Sequence, residues 1–227
     1  MSIIIIPKTH EDWIRERQNG IGASDAGTIM GVNPWKSNVD LWLEKTGQRE
    51  PEDISDKPYV QYGKIAEAYI RGLFALDHPE LAVMYESPYK IIQNEEYPWL
   101  FCTPDGEILR EKINWKTEGI DGQRGGLEIK TTEIMNGGQW HEWDGRIPDQ
   151  YYCQVLHQML ATGWEFVYLC AQIKYTTRDG EKRAERREYL IEREDVLEDM
   201  KALLEAEMEF WEQVQKGECP AQKLPEI

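Results

Sequence analysis

Two short segments constrain this chain most: Thr103-Pro104-Asp105-Gly106 and, further along, Gly126-Leu127-Glu128-Ile129-Lys130. The second has the character of a strand, on which successive side chains alternate faces, so Glu128 and Lys130 share one side and Ile129 takes the other. Any fold of this chain must therefore seat a carboxylate beside an ammonium, with a second carboxylate, Asp105, delivered by the preceding turn. Two acids can hold a hard divalent cation through oxygen, and a neighbouring lysine can position water against a phosphate. That combination points to a metal-dependent phosphodiesterase. Taken alone, a Glu-x-Lys pair also reads as a surface cross-strand ion pair.

The charge balance bears on such a substrate. Twenty-six basic residues face forty-two acidic ones, a net charge of −16 over 227 residues. Net charge governs solubility and non-specific binding, whereas contact depends on the local field. An enzyme acting on DNA with this composition must gather its basic groups in one groove and leave the exterior acidic. Cys102, Cys153, Cys170 and Cys219 lack the paired spacing of a zinc or iron–sulfur site and are expected to be buried free thiols. No apolar run approaches the roughly 18 residues of a membrane span. The N-terminus also lacks the basic and apolar regions of a signal peptide. A soluble cytoplasmic protein is expected.

No internal repeat or break in composition divides the chain, so a single domain over residues 1–227 is expected. Helices are predicted over 9–18 with Thr9 as cap, over 24–30 with Ser24 and Asp25 as caps, from Asn38, and over 59–76, 149–163 and 194–216. In the helix over 59–76, Tyr62, Ile65, Ala66, Tyr69, Ile70 and Leu73 recur at helical spacing and define an expected buried stripe. Strands are predicted over 82–87, 89–93, 100–103, 107–109, 126–131, 165–175 and 187–192. An exposed loop is expected between the strands at 107–109 and 126–131, and a hairpin turn at Arg178-Asp179-Gly180. This order predicts an α/β (α+β) fold: a central mixed β-sheet flanked by helices.

Three further features gather around the acidic pair. Glu67 is in register with Gly63, Ile70 and Phe74, at the edge of an apolar face where an acid must be paired, protonated or metal-bound. A boundary glutamate with its head in water would show the same pattern. Tyr151, Gln154, Val155 and Gln158 share one helix face, and the Gln154 amide can orient water or a phosphate oxygen; an exposed polar face is the plain alternative. The segment from Arg17 to Asp25 carries glycines ahead of a helix start, with exposed N–H groups, a guanidinium at Arg17 and a hydroxyl at Ser24, all suited to a phosphate. An ordinary cap at Ser24 would also account for it.

In order along the chain stand Arg17-x-x-Gly20-Ile21-Gly22-Ala23-Ser24-Asp25, Gly31-x-x-Pro34-Trp35-x-Ser37, Leu41-Trp42-x-x-Lys45-Thr46-Gly47, Gly63-x-x-x-Glu67, Thr103-Pro104-Asp105-Gly106, Leu127-Glu128-Ile129-Lys130 and Tyr151-x-x-Gln154. The ordered set resembles the YqaJ-type viral recombinase family, relatives of the phage lambda exonuclease within the PD-(D/E)XK nuclease superfamily. The resemblance implies a restriction-endonuclease-like core and a Mg2+-dependent 5′→3′ exonuclease that trims double-stranded DNA ends to leave 3′ single-stranded tails for recombination. It implies Asp105, Glu128 and the Ile129 carbonyl as metal ligands, with two Mg2+ per site and Mn2+ as a substitute. Glu67 would hold metal-bound waters, Lys130 would position the attacking water and Gln154 would support Lys130. Arg17, Ser24 and Thr103 would bind the terminal 5′ phosphate, with threonine standing where the family often has serine. It further implies a homotrimeric ring, a single-strand annealing protein as partner, and a phage or prophage origin in a bacterial host. Of the tryptophans, Trp35 on its proline-bearing turn is the best candidate for contact with a DNA end. A RecB-like or structure-specific endonuclease, or a non-catalytic DNA-end-binding module, remains the alternative.

Overall fold

The computed structural model describes residues 2–114 and 119–223. Among the described residues nine strands form two sheets. In the first, β1 (Ser2–Ile5), β4 (Ile91–Asn94), β5 (Leu100–Cys102) and β2 (Ile21–Gly22) lie in that spatial order. In the second the order is β3 (Leu81–Met84), β6 (Gly106–Asn114), β7 (Gly119–Ile134), β8 (Phe166–Thr176) and β9 (Lys182–Glu192). β7, the central strand, and its neighbour β8 run parallel; the other pairings of this sheet are antiparallel. A parallel pair needs a crossover, and here it contains α5 (Gly137–His141) and α6 (Asp149–Thr162). β8 reads Phe-Val-Tyr-Leu-Cys-Ala-Gln-Ile because both its faces are covered, as central parallel strands require.

The faces divide cleanly. Leu127, Ile129, Phe166 and Cys170 pack with Ala66, Ile70 and Phe74 of α4 (Pro58–Asp77). Val167, Leu169, Ala171 and Ile173 pack on the opposite face with Val155, Leu156 and Met159 of α6 and with Met200 and Leu203 of α7 (Leu197–Lys216). The same cluster includes Ile92, Leu100 and Cys102 of the first sheet, so α6 bridges the two sheets. Phe74 is fully buried, and truncating it to alanine is expected to cost about 3–5 kcal/mol. At the N-terminal end, α1 (His10–Arg17) is capped by the Thr9 hydroxyl, as its sequence predicts. α2 (Ala26–Met30) closes on Gly31 at φ 80, and α3 (Asn38–Lys45) starts at a Ser37 capping box.

Four expectations are corrected. The stripe predicted on the 59–76 helix is buried only at Ala66 and Ile70; Tyr62, Ile65, Tyr69 and Leu73 are exposed, and Phe74 completes the buried face instead. α4 has two apolar faces, and only the one toward β7 and β8 meets the sheet. The loop expected before residue 126 is largely hairpin, since β6 and β7 pair in register from Gly106↔Leu127 to Asn114↔Gly119; residues 115–118 lie outside the described residues. Ser24 caps nothing: it lies in a short 3-10 turn, Ala23–Asp25, and its hydroxyl bonds Arg17 instead. Cys219 is exposed, unlike the other three cysteines.

Candidate active site

The site forms where the β6–β7 ladder stops. Pairing with β6 ends at Leu127, opposite Gly106, so beyond it that edge of β7 is free. Asp105, the residue before β6, fills the gap: its Oδ2 accepts the Ile129 N–H at 2.8 Å. A strand residue presents its N–H and C=O on the same edge, so the Ile129 carbonyl opens toward the same gap. Gly63 lets α4 approach here, because a Cβ at that position would stand 3.3 Å from Thr131 Oγ1. Glu67, one turn further along α4, is thereby brought to the acidic pair.

Alternation on β7 places Glu128 and Lys130 toward α6, opposite Ile129, as the sequence predicts. Glu128 is almost fully buried and its carboxylate is held from three sides. Oε1 receives Lys130 Nζ at 2.6 Å and Gln154 Nε2 at 2.7 Å, and Oε2 receives Gln158 Nε2. Lys130 Nζ also sits 4.9 Å from the centre of the Tyr151 ring, within the range of a cation–π contact. Gln154 therefore touches Glu128, the partner of Lys130. Gln158 and Tyr151 join the site without having been assigned a role from sequence; their signal was the shared helix face with Gln154. Arg71 also joins it, donating to the Asp105 carbonyl and stacking on Tyr85 at 3.7 Å.

The electrostatics follow from three acids around one close ammonium. Burial pushes the Asp105 carboxyl well above its usual range, and repulsion from Glu128 and Glu67 adds to it. Glu67 is raised likewise, by burial first and then by Glu128. Burial alone would lower Lys130, but the charges of Glu128, Tyr151 and Asp105 and the Glu128 hydrogen bond hold it up at about 12. Lys130 is thus an ammonium at neutral pH and can donate, not accept, a proton. Among the described residues no three His, Cys, Asp or Glu side chains cage a metal by themselves. The donors at hand are two carboxylates and a carbonyl, with Glu67 behind them. They suit a hard cation that keeps several waters, and such a cation would relieve the repulsion among the acids.

A second cluster adjoins the first. Arg17 Nη2 donates to Ser24 Oγ at 3.1 Å, and the guanidinium lies 4.5 Å from the Trp13 ring centre. Trp13 Nε1 in turn donates to Thr103 Oγ1 at 3.1 Å. Arg17, Ser24 and Thr103 are therefore linked through Trp13, and Thr103 precedes Asp105 by two positions. Gly22 matters here because a Cβ would stand 3.3 Å from Arg17 Nη2. Beneath, Lys45 Nζ contacts Asp25 Oδ2 and the Arg17 carbonyl, each at 3.0 Å. Burial raises the Asp25 carboxyl, but the Lys45 and Arg17 charges, with hydrogen bonds from Lys45 and Gly22, outweigh it and leave Asp25 at about 2. Trp35 stands apart, 74% exposed on its turn.

A family model described as a YqaJ-like viral recombinase domain matches residues 12–165, a span that includes every residue of both clusters. The chain belongs to this family. It is 31% identical over 219 residues to the uncharacterized protein YqaJ of Bacillus subtilis, covering 94% of this chain and 59% of that protein's length. The chain therefore spans well under two thirds of that relative. Its fold is similar to an alkaline exonuclease, LHK-Exo from Laribacter hongkongensis, with TM-score 0.58 and 17% identity over 91% of this chain and 95% of that one. A structure of LHK-Exo in complex with dAMP is similar at TM-score 0.55, with 17% identity and the same coverage. The mixed α/β fold expected from sequence stands, with its strands divided between two mixed sheets flanked by helices. No helix among the described residues is long and apolar enough to cross a membrane.

Proposed function

We propose that the chain is a Mg2+-dependent exonuclease that digests double-stranded DNA from its 5′ ends and leaves 3′ single-stranded tails. One observation carries this reading: the Arg17–Ser24–Thr103 cluster is continuous with the Asp105–Glu128–Lys130 cluster through Trp13 and the short Thr103-Pro104-Asp105 run. A guanidinium and two hydroxyls beside a hydrolytic centre suit a terminal phosphate, and capturing that phosphate selects the end and its polarity. The crystallised LHK-Exo complex with a deoxynucleoside monophosphate supports a nucleotide product.

Asp105, Glu128 and the Ile129 carbonyl would hold the cation, with Glu67 near enough to hold waters around it, and the acids present would suit up to two ions. When bound, the cation supplies an activated water and neutralises the leaving oxygen. Lys130, fixed by Glu128 and Tyr151, donates to the attacking water or to a phosphate oxygen. Gln154 keeps the Glu128 carboxylate turned toward Lys130. Family likeness also supports a homotrimeric ring and a single-strand annealing protein as partners. The exposed face of α4, with Tyr62, Ile65, Tyr69, Leu73 and Leu76, is apolar surface available for protein contact.

Digestion of linear duplex DNA labelled at either end, beside a closed circular control, tests the reading. The expected result is loss of the 5′ label first, no cutting of circles, and no activity in EDTA or with Lys130→Ala. Nicked circles would move the chain to the endonucleases. End binding without cleavage in any metal would make it a binding module.

A further inference from the structure

Beside the acidic centre lies a cleft of about 420 Å3. Its walls include Trp35, Thr132, Gln139, Arg146, Gln150 and Tyr151. Tyr151 belongs to both places: it lines the cleft and carries the Lys130 ammonium on its ring. The cleft is therefore one side chain, Tyr151, away from the lysine that would face the scissile phosphate.

Trp35 is built as a platform. Its ring is exposed and, among the described residues, has no aromatic or cationic partner. Its backbone is nonetheless anchored: Trp35 N donates to Asn33 Oδ1 at 2.9 Å, and Asn33 Nδ2 donates to Thr28 Oγ1 at 2.8 Å. Thr28 lies on α2, which packs tightly on α6; a Cβ on Gly27 would stand 2.9 Å from Gln150 Cα. A single exposed ring is ordinary by itself; what sets Trp35 apart is that an anchored turn holds its ring in the wall of a cleft shared with Tyr151. The polar lining is tolerant in character. Gln139 spends Oε1 on the Met135 N–H at 2.7 Å and keeps its amide N–H groups, and Thr132 adds a hydroxyl. Arg146 is the cation of the cleft. Its one salt bridge, to Asp149 at 3.2 Å, is an exposed pair of the kind that contributes little. Glu142 and Asp149 also line the cleft, so a phosphate reaches the Arg146 guanidinium only by displacing the exposed Asp149 carboxylate from it.

We propose that this cleft binds a nucleobase of the strand being digested, stacked on Trp35 with its phosphate met by Arg146. The inference rests on the nuclease reading for the identity of the strand. A base that leaves its stack there would bring the next phosphodiester to Lys130, and stacking accepts every base.

The test uses the full chain in EDTA, where nothing is cleaved. Affinities are measured by isothermal titration calorimetry for a 5′-phosphorylated trinucleotide, its abasic analogue and dAMP. Trp35→Ala is expected to weaken trinucleotide binding about tenfold; Trp35→Phe recovers most of it, Arg146→Ala weakens it severalfold, and the abasic analogue loses its sensitivity to residue 35. Sensitivity confined to the trinucleotide places a base of the strand in the cleft. Equal sensitivity of dAMP places the released nucleotide there instead and overturns the proposal. Equal affinity for base-bearing and abasic ligands, or no effect of Trp35→Ala with the melting temperature intact, overturns the proposal. Digestion of end-labelled duplex by the unmodified chain in Mg2+ separates the two readings. Active enzyme with residue-35-insensitive binding sinks the cleft alone; sensitive binding with no digestion sinks the nuclease alone.

Discussion

At the residue scale, Gln158 is the side chain whose role the structure adds. Its Nε2 faces Glu128 Oε2, and its own Oε1 is buried with no partner among the described residues. The amide orientation is dictated by chemistry, since an oxygen turned toward the carboxylate would be repelled. Gln154 and Gln158, one turn apart, thus grip both Glu128 oxygens and fix its rotamer. A hydrogen bond to a charged group contributes about 1.5–3 kcal/mol. Gln158→Ala is expected to lower kcat by about tenfold to hundredfold, the rate equivalent of about 1.4–2.8 kcal/mol, with little change in KM. Steady-state digestion of end-labelled duplex measures this; a kcat within twofold of the parent in a well-folded variant would show that the clamp is idle. The acidic pair and the lysine were legible from strand alternation and the preceding turn, whereas Arg17, Ser24 and Thr103 were grouped only by the family resemblance, because their link runs through Trp13 across distant segments. Gln158 was on the right face but carried no distinguishing mark: whether a polar helix face meets water or a carboxylate depends on β7, far off in sequence.

At the element scale, the junction of α6 with α7 contains a fully buried ion pair. His157 Nδ1 lies 2.7 Å from Glu207 Oε1, and Nε2 lies 3.1 Å from the Phe101 carbonyl at the strand that leads into Thr103. Burial lowers the His157 pKa, but the Glu207 charge and the hydrogen bonds to Glu207 and Phe101 more than offset it, leaving it raised. A raised histidine binds its proton more tightly in the folded state. Its contribution is full below the unfolded value of about 6.5 and declines as pH climbs through the folded value. Chemical denaturation at a series of pH values should therefore show the parent losing stability above about pH 6.5 relative to Glu207→Gln, whose profile flattens. Parallel profiles would mean that the pair does not titrate in this way. Removing one partner outright, as in His157→Ala, is expected to cost about 3–5 kcal/mol. The elements themselves were largely readable: α1, α3, α6, β8 and α7 follow capping residues, glycine stops and apolar runs. Misreadings came where periodicity is symmetric. α4 is apolar on two sides, and nothing local says which side the sheet will take. β6 and β7 extend through polar and glycine-bearing residues because they pair with each other, a long-range fact that composition alone reads as loop. α5 starts at Gly137-Gly138, a poor helix start by propensity.

At the scale of the whole molecule, the question is how a chain of net charge −16 holds a polyanion. The cations given a phosphate in this reading are three: Arg17 at the terminal phosphate, Lys130 at the centre and Arg146 at the cleft, while Arg71 is held on the Asp105 carbonyl and the Tyr85 ring. Each phosphate neutralised on duplex DNA contributes a slope of about −0.9 to log K against log salt. Three such contacts give a slope of about −3, shallow beside that of a protein tracking a duplex along a basic groove. The acidic remainder repels internal duplex, so contact should be confined to ends. Fluorescence anisotropy in EDTA, with linear and closed circular duplex over about 50–200 mM salt, is expected to give that slope for linear DNA and no measurable binding of circles. A slope much steeper than −3, or competition by circles as effective as by linear duplex, would mean that a basic track engages the duplex away from its end. End selection would then have to arise from the chemistry at Lys130 and not from capture of the terminal phosphate by Arg17, Ser24 and Thr103.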